Sequence, residues 1–236
     1  MFHYKLSYIF VSFFLFTNSF IFSQHNSSTD AYYQLFDRYI GEENNSINNG
    51  YNANTQTRII DNSHIFFEQS DFIDAFVIYN NQAYTKKIKY DVYNDHVLVK
   101  YINQQNNFTL KLNSEMIDKF EIAQHQFVVL KKDPALNKLY GNGIFEKIYT
   151  GKSFELLAKH NKLRHEVLKG DYIGYYFNDK ITYLFKYKGI YYTINSRKDI
   201  LKVLPEYSKT IKKMYKRGIL LNSSFLTKLF KHLDNL

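Results

Sequence analysis

The sequence predicts a mainly β (α+β) fold: an antiparallel β sandwich or roll with a short N-terminal helix and C-terminal helices. Three observations carry this. From about Ile65 onward, apolar residues alternate with period two. The gaps between alternating runs are short Asn, Asp or Gln clusters, and a parallel crossover needs a dozen residues or more. From Lys198 the spacing becomes helical and stays so to the end.

The N-terminus has the layout of a secretory signal. Lys5 supplies a positive charge, residues 6–22 form a charge-free and mostly apolar run, and Ser23 places a small residue before Gln24. As a membrane span the run is short and interrupted by Ser12, Thr17, Asn18 and Ser19, whereas a spanning helix needs about 20 apolar residues. The expectation is cleavage before Gln24 and a secreted or periplasmic product. The chain has no Cys, so neither a lipid-bearing thiol nor a disulfide is available. Stability must come from the core.

Next comes an amphipathic helix over 30–40, with Ala31, Tyr32, Leu35, Phe36, Tyr39 and Ile40 on one face and Gly41 to end it. The following stretch, GEENNSINNGYNANTQT, is polar and Asn-rich and reads as a mobile surface loop. Strands follow over 75–79, 83–93, 96–103, 107–112, 120–122, 126–131 and 144–149. A hairpin over Gly151 leads into KHNKLRHE, which reads as a solvated stretch. KITYLFKYKGIYYTIN is a second hairpin, with Lys188-Gly189 at its turn. Helices are expected over 198–204, stopped by Pro205, then over 207–217 and 224–233. The last presents Phe225, Leu226, Leu229, Phe230 and Leu233 as one apolar stripe, expected to pack on the sheet. The organisation is therefore a signal peptide (1–23), an N-terminal helix and Asn-rich loop (24–64), an antiparallel β domain (65–196) and C-terminal helices packed on it (197–236).

Charge is uneven. Residues 24–80 carry a net −6, 81–150 a net +3 and 151–236 a net +11. The basic C-terminal half could attract anionic lipid or an acidic partner. The simpler reading is a solvated surface, with the acidic N-terminal part docking on the basic part of the same molecule.

The motifs that suggest chemistry each have a structural explanation. Asp91-x-x-Asn94-Asp95 brings three oxygen-bearing side chains together, but lacks the Gly and distal Glu of a calcium loop. Asn94-Asp95 reads instead as a two-residue hairpin turn, because Asn and Asp tolerate positive φ. TGKSF resembles the tail of a phosphate loop, yet the required upstream glycine position holds Glu146, so Gly151 is read as a turn residue. His160 and His165 lie five apart, not the four of a zinc-binding helix pair, with Glu166 after the second. They read as loop or surface histidines. Glu68, Asp71 and Asp74 cluster at the entry to the sheet and read as solvated. No thiol nucleophile and no G-x-S-x-G occurs. No catalytic, cofactor-binding or metal-ligating residue is singled out, and no cofactor is implied.

Three stretches, IKYDVYNDHVLVKY with FTLKLNSEMIDKFEI, GIFEKIYTGKSFELLAKHNKL, and FKYKGIYYTINSRKDILKVLPEYSKTIKKMYKRGIL, resemble segments of uncharacterised exported β-rich proteins of Bacteroidota. The signal ending FSQ is similar to theirs as well. The resemblance covers most of residues 65–236; it implies a compartment and a fold and carries over no catalytic residue. The expected role is that of a cell-envelope protein, binding or structural rather than enzymatic. Its partner would be an envelope protein or polymer and not nucleic acid, with peripheral membrane contact available through the basic C-terminal half. The alternative is a hydrolase acting on envelope or extracellular polymers.

Overall fold

The computed structural model describes residues 45–53, 58–102, 107–130, 136, 143–216 and 218–236. The signal segment and the helix expected over 30–40 lie outside these residues. The described chain is mostly antiparallel β, with three short helices at the C-terminal end.

Eleven strands form one open sheet: β1 (Tyr51–Asn52), β2 (Ile73–Tyr79), β3 (Gln82–Asp91), β4 (His96–Ile102), β5 (Asn107–Lys111), β6 (Ile117–Ile122), β7 (His125–Val129), β8 (Ile144–Thr150), β9 (Phe154–Lys169), β10 (Tyr172–Tyr187) and β11 (Ile190–Ile194). Their order is β1-β5-β4-β3-β2-β6-β7-β8-β9-β10-β11, and every ladder is antiparallel. The roll is thus a single sheet curling on itself. In a flat sheet, five steps of about 4.8 Å would put β9 about 24 Å from β3. Instead Asp95, in the turn after β3, lies 2.6 Å from Lys159 on β9. The rings of Tyr93, in the same turn, and Phe177 on β10 are 5.1 Å apart.

Residues 58–67 strap the curl. At one end Ile60 N donates to Tyr175 O (2.9 Å) and Tyr175 N donates to Arg58 O (3.0 Å). At the other, Phe67 N donates to Tyr90 O and Val92 N to Ile65 O. Ser63 Oγ links the middle, donating to Ile60 O and accepting from Phe177 N. Gly174 lets the strap lie against β10, since a Cβ there would come within 2.7 Å of Ile60 Cγ2.

Alternation sets the core. Val77, Ile88, Tyr90, Val97, Val99, Phe120, Phe127 and Ile144 bury one apolar cluster, joined by Ile47 and Phe67 from outside the strands. On the opposite face Phe145, Leu157 and Leu184 pack with Leu136. A further cluster joins β9–β11 to the helices α1 (Arg197–Val203), α2 (Ser208–Met214) and α3 (Ser223–Leu233). Pro205 ends the first helix as expected, and Asn222 Oδ1 caps the third by accepting from Phe225 N. Leu226, Leu229, Phe230 and Leu233 are fully buried, and the Phe230 ring lies 5.4 Å from Phe154 and 5.1 Å from Phe185. The C-terminal stripe therefore packs on the sheet of its own chain.

Three local expectations are corrected. KHNKLRHE is not a solvated stretch but the middle of the 16-residue β9, held by its ladder to β10. The Asn-rich segment is not wholly a loop: Ile47 is fully buried and Tyr51-Asn52 pair with β5, because one aliphatic side chain suffices to anchor a polar stretch. The connection after β3 spans four residues, 92–95, not two, because Val92 leaves the ladder to bond the strap and Tyr93 turns toward Phe177. Of these four only Asp95 has positive φ.

Gly151 has a specific role. Asp234, just past α3, accepts from Ser153 N (2.7 Å) and from Tyr149 Oη (2.8 Å), and a side chain at position 151 would collide with that carboxylate. The segment that resembles a phosphate loop is a dock for the end of the last helix.

Leu229 has no exposed surface, so Leu229→Ala leaves a cavity between α3 and the sheet. It should cost about 2–5 kcal/mol in denaturant unfolding. An unchanged midpoint would show that the helix does not depend on this packing.

Candidate functional site

Two polar networks lie where the sheet curls over, and adjacent residues of β9 serve them. The first is centred on Glu146. Phe127, Glu146 and Ala158 are register partners across β7, β8 and β9, so their side chains share a face. His125 lies two residues before Phe127 and His160 two after Ala158, which puts both imidazoles on that face. His160 Nε2 lies 2.6 Å from Glu146 Oε2, and His125 Nδ1 lies 2.6 Å from Glu146 Oε1. The other nitrogen of His125, Nε2, is 3.1 Å from Glu68 Oε1. The result is a chain, His160–Glu146–His125–Glu68. Exposure rises along it, from 13% for the His160 and Glu146 side chains to 36% for His125 and 48% for Glu68. Phe67, at the end of the strap, covers the buried part and packs edge-on against both imidazoles at 5.1 and 5.0 Å.

The electrostatics follow from this geometry. Burial pushes the Glu146 carboxyl up, but hydrogen bonds and charge from His160 and His125 more than reverse it, leaving it below its ordinary value. His125 faces a carboxylate oxygen from each ring nitrogen, so it donates to both only when both nitrogens carry a proton. Among the described residues no group of three or more His, Cys, Asp or Glu is arranged to hold a metal ion.

The second network is a buried ion pair. Lys159 Nζ lies 2.6 Å from Asp95 Oδ2, with side-chain exposures of 2% and 11%. Tyr90 Oη donates to Asp95 Oδ1 at 2.6 Å. The β8–β9 ladder stops at Glu146–Ala158, and just beyond it Lys159 Nζ donates to Ile144 O at 3.0 Å. Burial draws the Lys159 ammonium below its ordinary pKa, and Asp95 only partly restores it. Burial raises the Tyr90 hydroxyl well above its ordinary value, and the Asp95 charge adds to the rise.

The residues weighed in the sequence separate as follows. Asp91 Oδ1 and Oδ2 accept from Asn94 N (2.9 Å) and Asn94 Nδ2 (2.8 Å), closing the turn locally. Asp95, read as a turn residue, is also the buried partner of Lys159. Glu68 joins the histidine chain, whereas Asp74 makes an exposed pair with Lys87. His160 is not a surface residue. His165 lies on the opposite face of β9, because five residues along a strand reverse the side, and it stacks on Tyr176 at 4.7 Å. Sequence pattern assigns no functional role to His125, Glu146 or Lys159; Glu146 enters only as the residue that breaks the phosphate-loop spacing. The available signal was parity: Glu146 sits between Ile144 and Ile148 on one face, and His125 precedes Phe127 and Val129 on one face.

Compared with known protein families, with curated proteins and with solved structures, the chain matches none of them.

Removing one member of the buried pair leaves the other charged and desolvated. Lys159→Met should cost about 3–5 kcal/mol, measured by urea unfolding. The double variant Asp95→Asn/Lys159→Met should recover most of it, since the Asn carbonyl still accepts from Tyr90. Equal loss in the single and double variants would show that the pair is not coupled.

Glu146 is depressed in the folded state, so its contribution to stability is complete above its unfolded pKa of about 4.3 and disappears as pH falls through the lower folded value. Glu146→Gln should therefore lower stability at pH 7 and flatten the acid limb of the stability profile. An acid limb identical to that of the unsubstituted protein would contradict this assignment.

Proposed function

We propose that this protein is exported to the cell envelope, is periplasmic or secreted after cleavage before Gln24, and works by binding rather than by catalysis. One observation carries the non-enzymatic reading. His160 and His125 both hydrogen-bond to Glu146, and His125 also pairs with Glu68, with Phe67 packed over the two imidazoles. A general base needs reach to a substrate proton, and His160 and Glu146, bonded to each other and only 13% exposed beneath Phe67, do not offer it. The network then acts as part of the scaffold, tying the strap to β7, β8 and β9. Export rests on the N-terminal sequence: a basic start, a charge-free apolar run and a small residue before Gln24. Among the described residues no helix is long and apolar enough to cross a membrane. The partner class is an envelope protein or polymer. Peripheral contact with anionic lipid is supported by the net +11 of residues 151–236.

The second reading, a hydrolase of envelope or extracellular polymers, is favoured by the same His–Glu chain if the strap lifts. One experiment separates them. Protein recovered from the producing cell should begin at Gln24 by N-terminal sequencing, and when added to envelope fractions it should co-sediment saturably without releasing soluble sugars or peptides. A chain still beginning at Met1 would overturn the cleaved-export reading. Release of soluble products that Glu146→Gln abolishes would replace binding with hydrolysis.

A further inference from the structure

The outer edge of β10 is interrupted. On its inner side β10 pairs with β9 over its full length, from Tyr172 to Tyr187. On its outer side β11 covers only Tyr183 to Tyr187. The strap covers Tyr175, and Ser63 Oγ accepts from Phe177 N. Between these, residues 178–182 have no neighbour on that side among the described residues of the sheet.

The direction of the backbone groups in this gap follows from its two ends. Tyr175 N and O both point to the strap, and Tyr187 closes the β10–β11 hairpin opposite Ile190. Backbone groups alternate along a strand, so the odd-numbered residues of β10 present N–H and C=O outward. In the gap these are Asp179 and Ile181. Asn178, Asp179, Lys180 and Ile181 are all exposed, Ile181 at 44%. The gap runs six residue steps from Phe177 to Tyr183, about 20 Å.

We infer that this gap is a docking slot for an extended peptide of five to six residues from a partner polypeptide, which adds as a strand between the strap and β11. The inference deepens the binding reading above and rests on it. An extended backbone is the ligand that matches alternating outward N–H and C=O groups. The slot excludes a second copy of the same edge. At both ends it is walled by a segment lying one strand spacing further out, about 4.8 Å, so two recessed edges cannot meet. Its side chains specify the guest. Lys180, which makes no ion pair among the described residues, faces one side and calls for an acidic residue opposite. Ile181 faces the other side and calls for an aliphatic residue that would cover its exposed surface. Asp179 is held by Lys162 at 2.8 Å and adds no unpaired charge. The guest is therefore an alternating aliphatic and acidic strand.

The test uses the chain from Gln24 to Leu236 and an end-capped six-residue peptide of alternating valine and glutamate. Binding is followed by NMR, together with hydrogen exchange at the Asp179 and Ile181 amides. The expected result is saturable binding below millimolar peptide, with exchange at those two amides slowed at least tenfold. Ile181→Pro removes an outward N–H that bonds to no sheet partner, a position where an edge strand accepts proline. It should keep the melting temperature within a few degrees and weaken the peptide at least tenfold. Lys180→Glu alters only an exposed side chain and should weaken the peptide to a similar extent, so the slot can be judged even if the proline variant fails to fold. No binding at millimolar peptide, or binding that both variants leave unchanged, would overturn the slot. Envelope co-sedimentation that survives both variants would remove this edge from the binding surface and leave the binding reading standing.

Discussion

The ion pair between Lys159 and Asp95 joins two parts of the sheet that a flat arrangement would hold about 24 Å apart. The curl, the strap and both polar networks depend on that closure. An ammonium and a carboxylate taken out of water are costly, and their attraction offsets the cost only with close geometry and further hydrogen bonds. Both are present. Tyr90 Oη donates to the carboxylate, and the ammonium donates to Ile144 O where the β8–β9 ladder has ended. A buried pair of this kind adds little net stability compared with apolar side chains of the same volume. It selects strongly among curvatures, because any arrangement that separates the two groups leaves a charge buried alone.

Around that contact the strap and the aromatic cluster complete the closure. Phe67 packs on Phe127 at 5.0 Å and on both imidazoles, so the apolar core and the histidine chain share one residue. Tyr90 does the same between the ion pair and the core, with Phe127 at 5.2 Å and Phe120 at 5.6 Å. Apolar packing and polar pairing thus meet on the same side chains. A change at Phe67 or Tyr90 is felt by both. The strap also sets the limits of the free edge: its contact with β10 ends at Ser63, opposite Phe177, and β11 resumes at Tyr183.

The C-terminal helices are anchored by a different logic. Each is short and would be marginal alone in water. They hold because Leu226, Leu229, Phe230 and Leu233 are buried against β9–β11 and because Asp234 bonds Ser153 N and Tyr149 Oη across the sheet's end. The same carboxylate explains why position 151 is glycine.

The sequence by itself determined the mainly antiparallel β class, most strand positions, the Lys188-Gly189 turn, the stop at Pro205 and the buried stripe of the last helix. These follow from period, turn chemistry and proline geometry, all of which act over a few residues. It also placed a turn at Asn94-Asp95, although Asn94 closes that turn by bonding to Asp91 and only Asp95 takes positive φ. Tertiary structure alone decided the curl, the strap and both polar networks. Glu146 meets His125 and His160 from 21 and 14 residues away, and Lys159 meets Asp95 from 64 residues away. No local pattern encodes such encounters, because they depend on how far the sheet bends. The one trace they leave in the sequence is a polar residue at an apolar parity, as at Glu146 between Ile144 and Ile148. Parity marks a side chain as inward-facing, but only the folded sheet supplies the partner that makes its burial tolerable.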